Sequence, residues 1–452
     1  MDKIQLLQAR KAAIASASKE IREDVYAIID EGSFVELSAF SFSKSEFYGE
    51  DATGEGVLTG HATIDGFAFY IVAQNYTVLD GGMSKASCDK ILKCMDMAEK
   101  NGAPLLFMLN THGVQVGEGV TVLEGLAKLL AKCASNAPKY VIVNGEVYGA
   151  AAMLASFAEC SFFLDKKSVL AVNSPFVLSA KAGKNLTKEE VGGANALNKT
   201  GLSSLIVKDL AEVREKIIEM NTLDAEPIIE AELNDSVPTL NQEATLQNLL
   251  AIFEAPIELN AVFEPQVKTL IGRIGGISVA SILFDGGEEG VELDAPKFAK
   301  LKDFLKLTYV KELPLIVFGN VKGICPCACV NNSRVLKDAA EYLELFTAID
   351  SPKIAVVYKK AIGLGYSIFA SKSIGFDYTC AFANAKIALF DSEQGAQIEF
   401  GNSGVDKVAL AAKYADENSD PVHAAKDGYI DAIIEPQFVK QYVIASLQML
   451  AE

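Results

Sequence analysis

The sequence predicts an α/β protein built from two homologous halves, and three observations carry that prediction. The stretch NGAPLLFMLNTHG, Asn101 to Gly113, returns as KELPLIVFGNVKG, Lys311 to Gly323, with a Pro, an apolar run and a closing Gly at the same spacing. The runs PLLFMLN, KYVIVNG, PLIVFGN and KIAVVY are continuously apolar, as expected of sheet strands covered on both faces. Helix-patterned segments alternate with them, which points to parallel strands joined by right-handed crossovers.

Taken in order, each half follows the same grammar. A hairpin-like strand pair turns around Gly66 in IDGFAFYIV and around Gly276 in IGGISVASI. A helix follows, DKILKCMDMAEK around Lys90 and AKLKDFLKLTYV around Lys300. Then comes the buried strand that runs into the turn at Gly113 or Gly323. All of these pairs are 210 positions apart. After a second helix, NAPKYVIVNGEVYGAAAMLASF faces DSPKIAVVYKKAIGLGYSIFASK, with Pro138 to Pro352 and Gly149 to Gly363 now 214 apart. Four residues are therefore inserted in the second half, and the blocks keep one order, which is the mark of a true repeat. The acidic, Pro-containing stretch LDAEPIIEAELNDSVPTLNQEA marks the division. The expected domains are 1–235 and 236–452.

The 452 residues exceed one typical domain of about 150 residues, in agreement with two cores. The net charge of -18 argues against a nucleic-acid partner, because no Lys/Arg excess exists to replace phosphate counterions. An anionic ligand would need locally placed amides and cations. The start, MDKIQLLQARKAAIASASKE, has helical charge spacing and no apolar core, so it does not read as a signal peptide. With no uncharged apolar stretch of membrane length, a cytoplasmic protein without membrane insertion is expected. The cysteines at 88, 94, 133, 160 and 380 read as small buried hydrophobes. In ICPCACV, Cys325, Cys327 and Cys329 are too closely spaced for a structural zinc site. None of His61, His112 and His423 is near them in sequence, so the cluster reads as an oxidisable loop with no metal.

Chemistry is expected at the glycine turns that end the strands. In NGEVYGAAAML, Gly149, Ala150 and Ala151 open a helix whose first amides have no intrahelical partner, an arrangement suited to a developing oxyanion. Gly363, Leu364 and Gly365 open the corresponding helix. Small residues let a thioester or cofactor carbonyl approach the backbone, although close helix packing selects the same residues. No G-x-S-x-G, P-loop or H-E-x-x-H motif is present. Catalysis by backbone amides with little side-chain acid or base fits this set.

These residues resemble the biotin-dependent acyl-CoA carboxyltransferases, the family of propionyl-CoA carboxylase β subunits and of the carboxyltransferase subunits of biotin-dependent decarboxylases. The most specific match is NSPFVLSAKAGKNLTKEEVGGANALNKTG, Asn173 to Gly201, with its Glu-Glu-x-Gly-Gly-Ala core at Glu189 to Ala194. REDVYAIIDEGSFVEL, GEGVLTGHATIDG and the segment from Ser351 to Phe390 are also similar. The resemblance covers nearly the whole chain and implies two tandem crotonase-like domains, of the ClpP/crotonase superfamily. It further implies that the N-terminal half holds an acyl-CoA and the C-terminal half receives biotin. By position, the amides of Gly149 and Ala150 would hold the thioester enolate, and those of Leu364 and Gly365 the biotin ureido oxygen. His112, Gly113, Gly192, Gly193 and Ala194 would border the acyl-CoA, and Gly323, Pro326, Gly363 and Tyr366 the biotin. Because the chain has no Ala-Met-Lys-Met motif, biotin would arrive on a separate biotin carboxyl carrier protein. The family builds its sites between subunits, which implies a homo-oligomer, at least a dimer and up to a hexamer.

The chain departs from the family pattern at several of these positions. His112 replaces a Gly and Gln115 an Arg in the loop after the first buried strand. Leu364 stands in a Gly-Gly pair, Ser367 replaces an Asp, Cys327 ends the loop that keeps Gly323 and Pro326, and Leu197 takes the place of a His. Two other functions are therefore carried. One is a catalytically degenerate paralogue that binds acyl-CoA or partners an active subunit. The other is a biotin-independent crotonase-type enzyme, which would need Glu118 or Glu146 as its base.

Overall fold

The computed structural model describes residues 2–42, 54–224, 234–331, 333–401 and 406–450. Two compact units form, Met1–Thr222 and Leu223–Glu452. The division falls ahead of 235, and part of the acidic stretch read as the boundary, 225–233, lies outside the described residues.

The first unit contains β1 (Val35–Leu37), β2 (Val57–Ile64), β3 (Phe67–Gln74), β4 (Leu105–Thr111), β5 (Tyr140–Tyr148), β6 (Cys160–Leu164), β7 (Val169–Ala171) and β8 (Leu205–Val207). Its sheet runs in the order β1-β2-β3-β4-β5-β6-β8, with β7 paired to β5. The two pairings at the β1 edge are antiparallel and the others parallel. The second unit contains β9 (Glu254–Leu259), β10 (Val267–Ile274), β11 (Ile277–Phe284), β12 (Val291–Leu293), β13 (Leu315–Ile324), β14 (Lys353–Ile362), β15 (Tyr378–Phe382), β16 (Lys386–Ala388) and β17 (Ala432–Ile434). Its order, β9-β10-β11-β13-β14-β15-β17 with β12 on β13 and β16 on β14, repeats the first. The central strands are buried on both faces, which explains their unbroken apolar runs. Helix Lys85–Lys100 places Cys88, Ile91 and Met95 in one core with Leu105, Phe107 and Val141, while Leu126 and Leu129 of helix Val120–Ser135 join it.

The repeat extends to single hydrogen bonds. Tyr70 N donates to Pro104 O, and Ala280 N to Pro314 O, each at 2.9 Å. Thr59 Oγ1 donates to Leu37 O at 3.0 Å, and Thr269 Oγ1 to Leu259 O at 2.8 Å. The isolated bridge Met83–Val114 matches the Leu293–Ile324 pair of β12 and β13. Pairing between β4 and β5 slips between Leu109 and Thr111, and pairing between β13 and β14 slips at the equivalent place, between Gly319 and Val321. Each slip is a bulge that places extra residues in the strand entering the turn, β5 with Glu146 in one unit and β14 with Lys360 in the other. Asn110 stitches the first bulge by accepting the Glu146 N–H at 3.2 Å. Gly145 makes room for that amide, since a Cβ there would collide with the Asn110 side chain.

Lys90 and Lys300 are buried at repeat-related positions. Lys90 Nζ donates to Val57 O at 2.8 Å; Lys300 Nζ donates to Asn260 O at 2.9 Å and Phe263 O at 2.6 Å. Cys88, Cys94, Cys133, Cys160 and Cys380 are buried thiols, while Cys327 and Cys329 form a disulfide. Among the described residues, no helix is long and apolar enough to cross a membrane, and no group of three or more His, Cys, Asp or Glu is placed to hold a metal ion.

Burial pushes the Lys300 ammonium down to about 8, below the ordinary lysine value of about 10.4. Between those two values the folded chain binds fewer protons at this site than the unfolded chain, so the site makes stability rise with pH. The difference in unfolding free energy between the protein and Lys300→Met should therefore widen by roughly 1–2 kcal/mol from pH 8 to pH 10. Urea denaturation at both pH values measures it, and a constant difference would contradict the assignment.

Candidate active site

Both strand-to-helix turns are built on a left-handed glycine. Gly149 has φ +71° and Gly363 φ +54°, a region glycine enters without steric cost. Gly149 N donates to Val172 O at 3.1 Å, and Gly363 N to Ala388 O at 2.9 Å, just past β7 in one unit and at the end of β16 in the other. These bonds correct one expectation. The Gly149 amide was expected to serve as an oxyanion donor with Ala150, but it is already occupied. The pair that heads the 3-10 helix Gly149–Phe157 is Ala150, exposed, and Ala151, buried. Its register matches Leu364, exposed, and Gly365, buried. In the second unit the first helical amide with a backbone partner is that of Tyr366, which donates to Gly363 O at 3.1 Å. Leu364 and Gly365 lie ahead of it, where helix amides lack intrahelical acceptors.

Gly113 and Gly323 border the turns in the same way. Their φ values are +117° and +111°, and a Cβ on them would sit 3.6 Å from Tyr148 O and 3.5 Å from Ile362 O. These carbonyls belong to the residues just before Gly149 and Gly363, so each strand-end loop lies against its helix head.

His112, next to Gly113, sits in a polar cluster. Its Nε2 is 3.1 Å from Tyr76 Oη and 3.7 Å from Glu146 Oε2. Its ring meets those of Tyr76 and Tyr148 at centroid distances of 5.1 Å and 5.7 Å. Tyr148 Oη donates to Glu146 Oε2 at 2.9 Å, and Lys188 forms a short ion pair with Glu146 Oε1. Burial alone would raise the Glu146 carboxyl, but Lys188, Tyr148 and His112 outweigh it and hold the pKa below the usual value. Burial, then Asp80 and Glu146, push Tyr76 up; burial and Glu146 do the same to Tyr148. Lys188 is raised by its bond to Glu146.

Gly192, Gly193 and Ala194 pack the helix Lys188–Gly192 onto β7. Gly193 bridges Val169, Ala194 N donates to Ser168 O at 3.1 Å, and a Cβ on Gly192 would overlap Leu170 O. The core of the most family-like segment thus seats the helix whose first residue, Lys188, meets Glu146.

The second unit places Lys322 where the first has His112, and Lys360 where the first has Glu146. Lys322 Nζ is 3.5 Å from Asp391 Oδ2, and Lys360 Nζ is 3.9 Å from Asp391 Oδ1. Burial works against the Lys322 ammonium, but Asp391, Glu292 and Glu289 raise it above its ordinary value. Tyr366 is half-buried, which raises its phenol, and its Oη lies 3.5 Å from Tyr429 O. Pro326 is exposed in the loop beyond Gly323, next to the disulfide.

Neither carboxylate considered as a base is set up for that role. Glu118 Oε2 accepts the Lys85 N–H at 2.6 Å and so caps helix Lys85–Lys100, and Glu146 is bound by Lys188 and Tyr148, which lower its pKa and weaken it as a proton acceptor.

The carboxyl transferase domain model matches residues 14–452. The chain belongs to that family. It is 26% identical over 483 residues to the propionyl-CoA carboxylase beta chain of Saccharopolyspora erythraea, covering 97% of this chain and 88% of that one. It is 26% identical over 492 residues to the methylmalonyl-CoA decarboxylase subunit alpha of Veillonella parvula, covering 100% and 96%. Its fold is that of transcarboxylase 12S, solved as a hexamer assembly with methylmalonyl-CoA and methylmalonic acid bound (TM-score 0.88, 24% identity, 99% of this chain and 95% of that one). The two tandem sheet units are thus the crotonase-like pair that the resemblance implied.

Of this carboxyl transferase chain, the sequence reading named the turns, His112 and Glu146 but missed Tyr76, Tyr148, Lys188, Lys322, Lys360 and Asp391. Carrying the 210 and 214 shifts through His112 and Glu146 reaches Lys322 and Lys360 directly. No sequence signal links Tyr76, Lys188 or Asp391 to the site, because only the fold brings them there.

Since Glu118 caps a helix, Glu118→Ala should lower stability by about 1 kcal/mol and leave acyl-CoA turnover unchanged. Thermal unfolding and steady-state kinetics on one preparation check both. A large loss of turnover with little loss of stability would return Glu118 to the list of bases.

Proposed function

We propose that the chain is a carboxyltransferase subunit that moves a carboxyl group between biotin and an acyl-CoA. The observation that carries this reading is the pair of matched helix heads: two strand-to-helix turns, each with its glycine amide occupied and the next two amides placed ahead of the helical ladder. Two such turns suit a reaction with two oxyanions, one on a thioester and one on a ureido group.

In the first unit, the amides of Ala150 and Ala151 receive the thioester oxygen as negative charge moves onto it. The small residues Gly113 and Gly149 keep the approach open, and Gly192, Gly193 and Ala194 hold Lys188 at its edge. In the second unit the residues fit a biotin ring: Leu364 offers an exposed apolar side chain, Tyr366 a half-buried ring, and Leu364 and Gly365 two amides. Biotin, when bound, supplies the carboxyl acceptor and donor. Lys322 and Lys360, shared with Asp391, offer ammonium donors beside that head. Gly323 and Pro326 border the same side. The full reading includes a separate biotin carboxyl carrier protein, a homo-oligomer in which sites are completed between copies, and a cytoplasmic location. It is supported by the family and by the hexameric assembly of transcarboxylase 12S. The biotin-independent alternative is disfavoured by the states of Glu118 and Glu146, and the degenerate alternative by two intact helix heads.

Purified protein given malonyl-, methylmalonyl- or glutaconyl-CoA with free biotin should show transfer or decarboxylation with one of them. Binding of these esters without turnover would favour the degenerate paralogue. Leu364→Pro should then cut turnover by about a hundredfold or more, because it removes one oxyanion donor at a first helical position that accepts proline. Full activity in that variant would contradict the assignment of the second turn.

A further inference from the structure

We infer that His112 is a proton acceptor and donor for the acyl-CoA α-carbon, giving this chain an activity of its own: biotin-independent exchange of the α-hydrogen of a short-chain acyl-CoA with solvent. The inference rests on the proposed acyl-CoA site in the first unit. It goes beyond carboxyl transfer.

The geometry is that of an oriented imidazole. Nε2 faces the Tyr76 hydroxyl at 3.1 Å and the Glu146 carboxylate at 3.7 Å, and the ring is flanked by Tyr76 and Tyr148. A ring whose Nε2–H is directed at a carboxylate and a phenol oxygen carries its lone pair on Nδ1, at the opposite edge. Nδ1 has no hydrogen-bond partner among the described residues. This is the base and orienter arrangement of nucleophile-activating dyads, in the loose form that ligand-free sites adopt. The bonds from Lys188 and Tyr148 hold the Glu146 pKa below its ordinary value and so weaken it as a proton acceptor, which leaves it to orient the imidazole. The titratable and charged groups facing the ring are Tyr76 and, beyond it, Asp80, from the segment after β3; Glu146 and Tyr148 of β5; and Lys188 of the helix Lys188–Gly192.

Position supplies the rest. His112 adjoins Gly113, whose Cα side packs toward Tyr148 O, and Tyr148 leads through Gly149 to the Ala150 and Ala151 amides. A thioester oxygen on those amides would bring its α-carbon to the loop that carries His112. In the forward step Nδ1 takes the α-proton, the C–H electron pair becomes the enolate π bond, and the carbonyl pair moves to oxygen, where the two amides hold the charge. In the reverse step the imidazolium, its proton exchanged with solvent, returns a solvent-derived hydrogen to the α-carbon. No oxidant, reductant or second substrate is consumed.

The test follows the α-proton signal of propionyl-CoA by NMR in D2O with the full chain and no biotin, beside calorimetric binding of the same ester. The expected result is exchange above the buffer rate, lower by about 100-fold in His112→Gln and about tenfold in Glu146→Gln at saturating ester, the calorimetry giving the concentration that saturates each variant. His112 is exposed, so its replacement leaves the core intact. Binding of propionyl-CoA without exchange would overturn the inference while the carboxyl-transfer reading stands on its own assay. Equal exchange in His112→Gln would also overturn it. If propionyl-CoA does not bind at all, the proposed acyl-CoA site falls and this inference falls with it.

Discussion

The site depends on one backbone arrangement, used twice: a left-handed glycine at the end of a central strand whose own N–H is committed to the carbonyl of a neighbouring segment. With Gly149 bound to Val172 O and Gly363 to Ala388 O, the chain must leave the strand and start a helix in one direction. The next two amides then head that helix with no acceptor behind them. A side chain on either glycine would oppose the φ value that sets this direction. The short strands β7 and β16 exist in the fold as the partners that hold these turns, each paired to the end of the long strand that enters one.

The two bulges give the turns different chemistry on a shared frame. Because pairing slips at the same place in both sheets, an equivalent residue ahead of each turn leaves the regular pleat. In the first unit the bulged residue, three positions ahead of the turn glycine, is Glu146, balanced by Lys188 and facing His112. In the second it is Lys360, with Lys322 in the His112 position and Asp391 between the two lysines. A histidine held by Glu146 stands at one head, and two lysines shared with Asp391 at the other. This is the asymmetry expected if one head handles a thioester with an acidic α-hydrogen and the other a carboxyl carrier.

Much of this was legible in the sequence. The α/β class, the duplicated order of elements and the turns at Gly149 and Gly363 follow from apolar runs and glycine spacing, which are local signals, whereas His112 stood out only as a departure from the family pattern. What was not legible depends on pairing. That Gly149 lacks a free amide is decided by Val172, more than twenty residues later, and propensity carries no information on it. Lys188 appeared only as part of a family-like segment, and its contact with Glu146 arises because Gly192 and Gly193 let a short helix lie on β7. Cys327 and Cys329 were read correctly as an oxidisable loop, but their bond to each other needed the loop's path.

The most direct test of the account is a structure of the protein with a bound acyl-CoA. The account predicts the thioester oxygen at about 2.7–3.1 Å from the Ala150 and Ala151 amide nitrogens, with the Gly149 N–H still on Val172 O. A thioester held by Gly149 instead, or bound away from this turn, would contradict it.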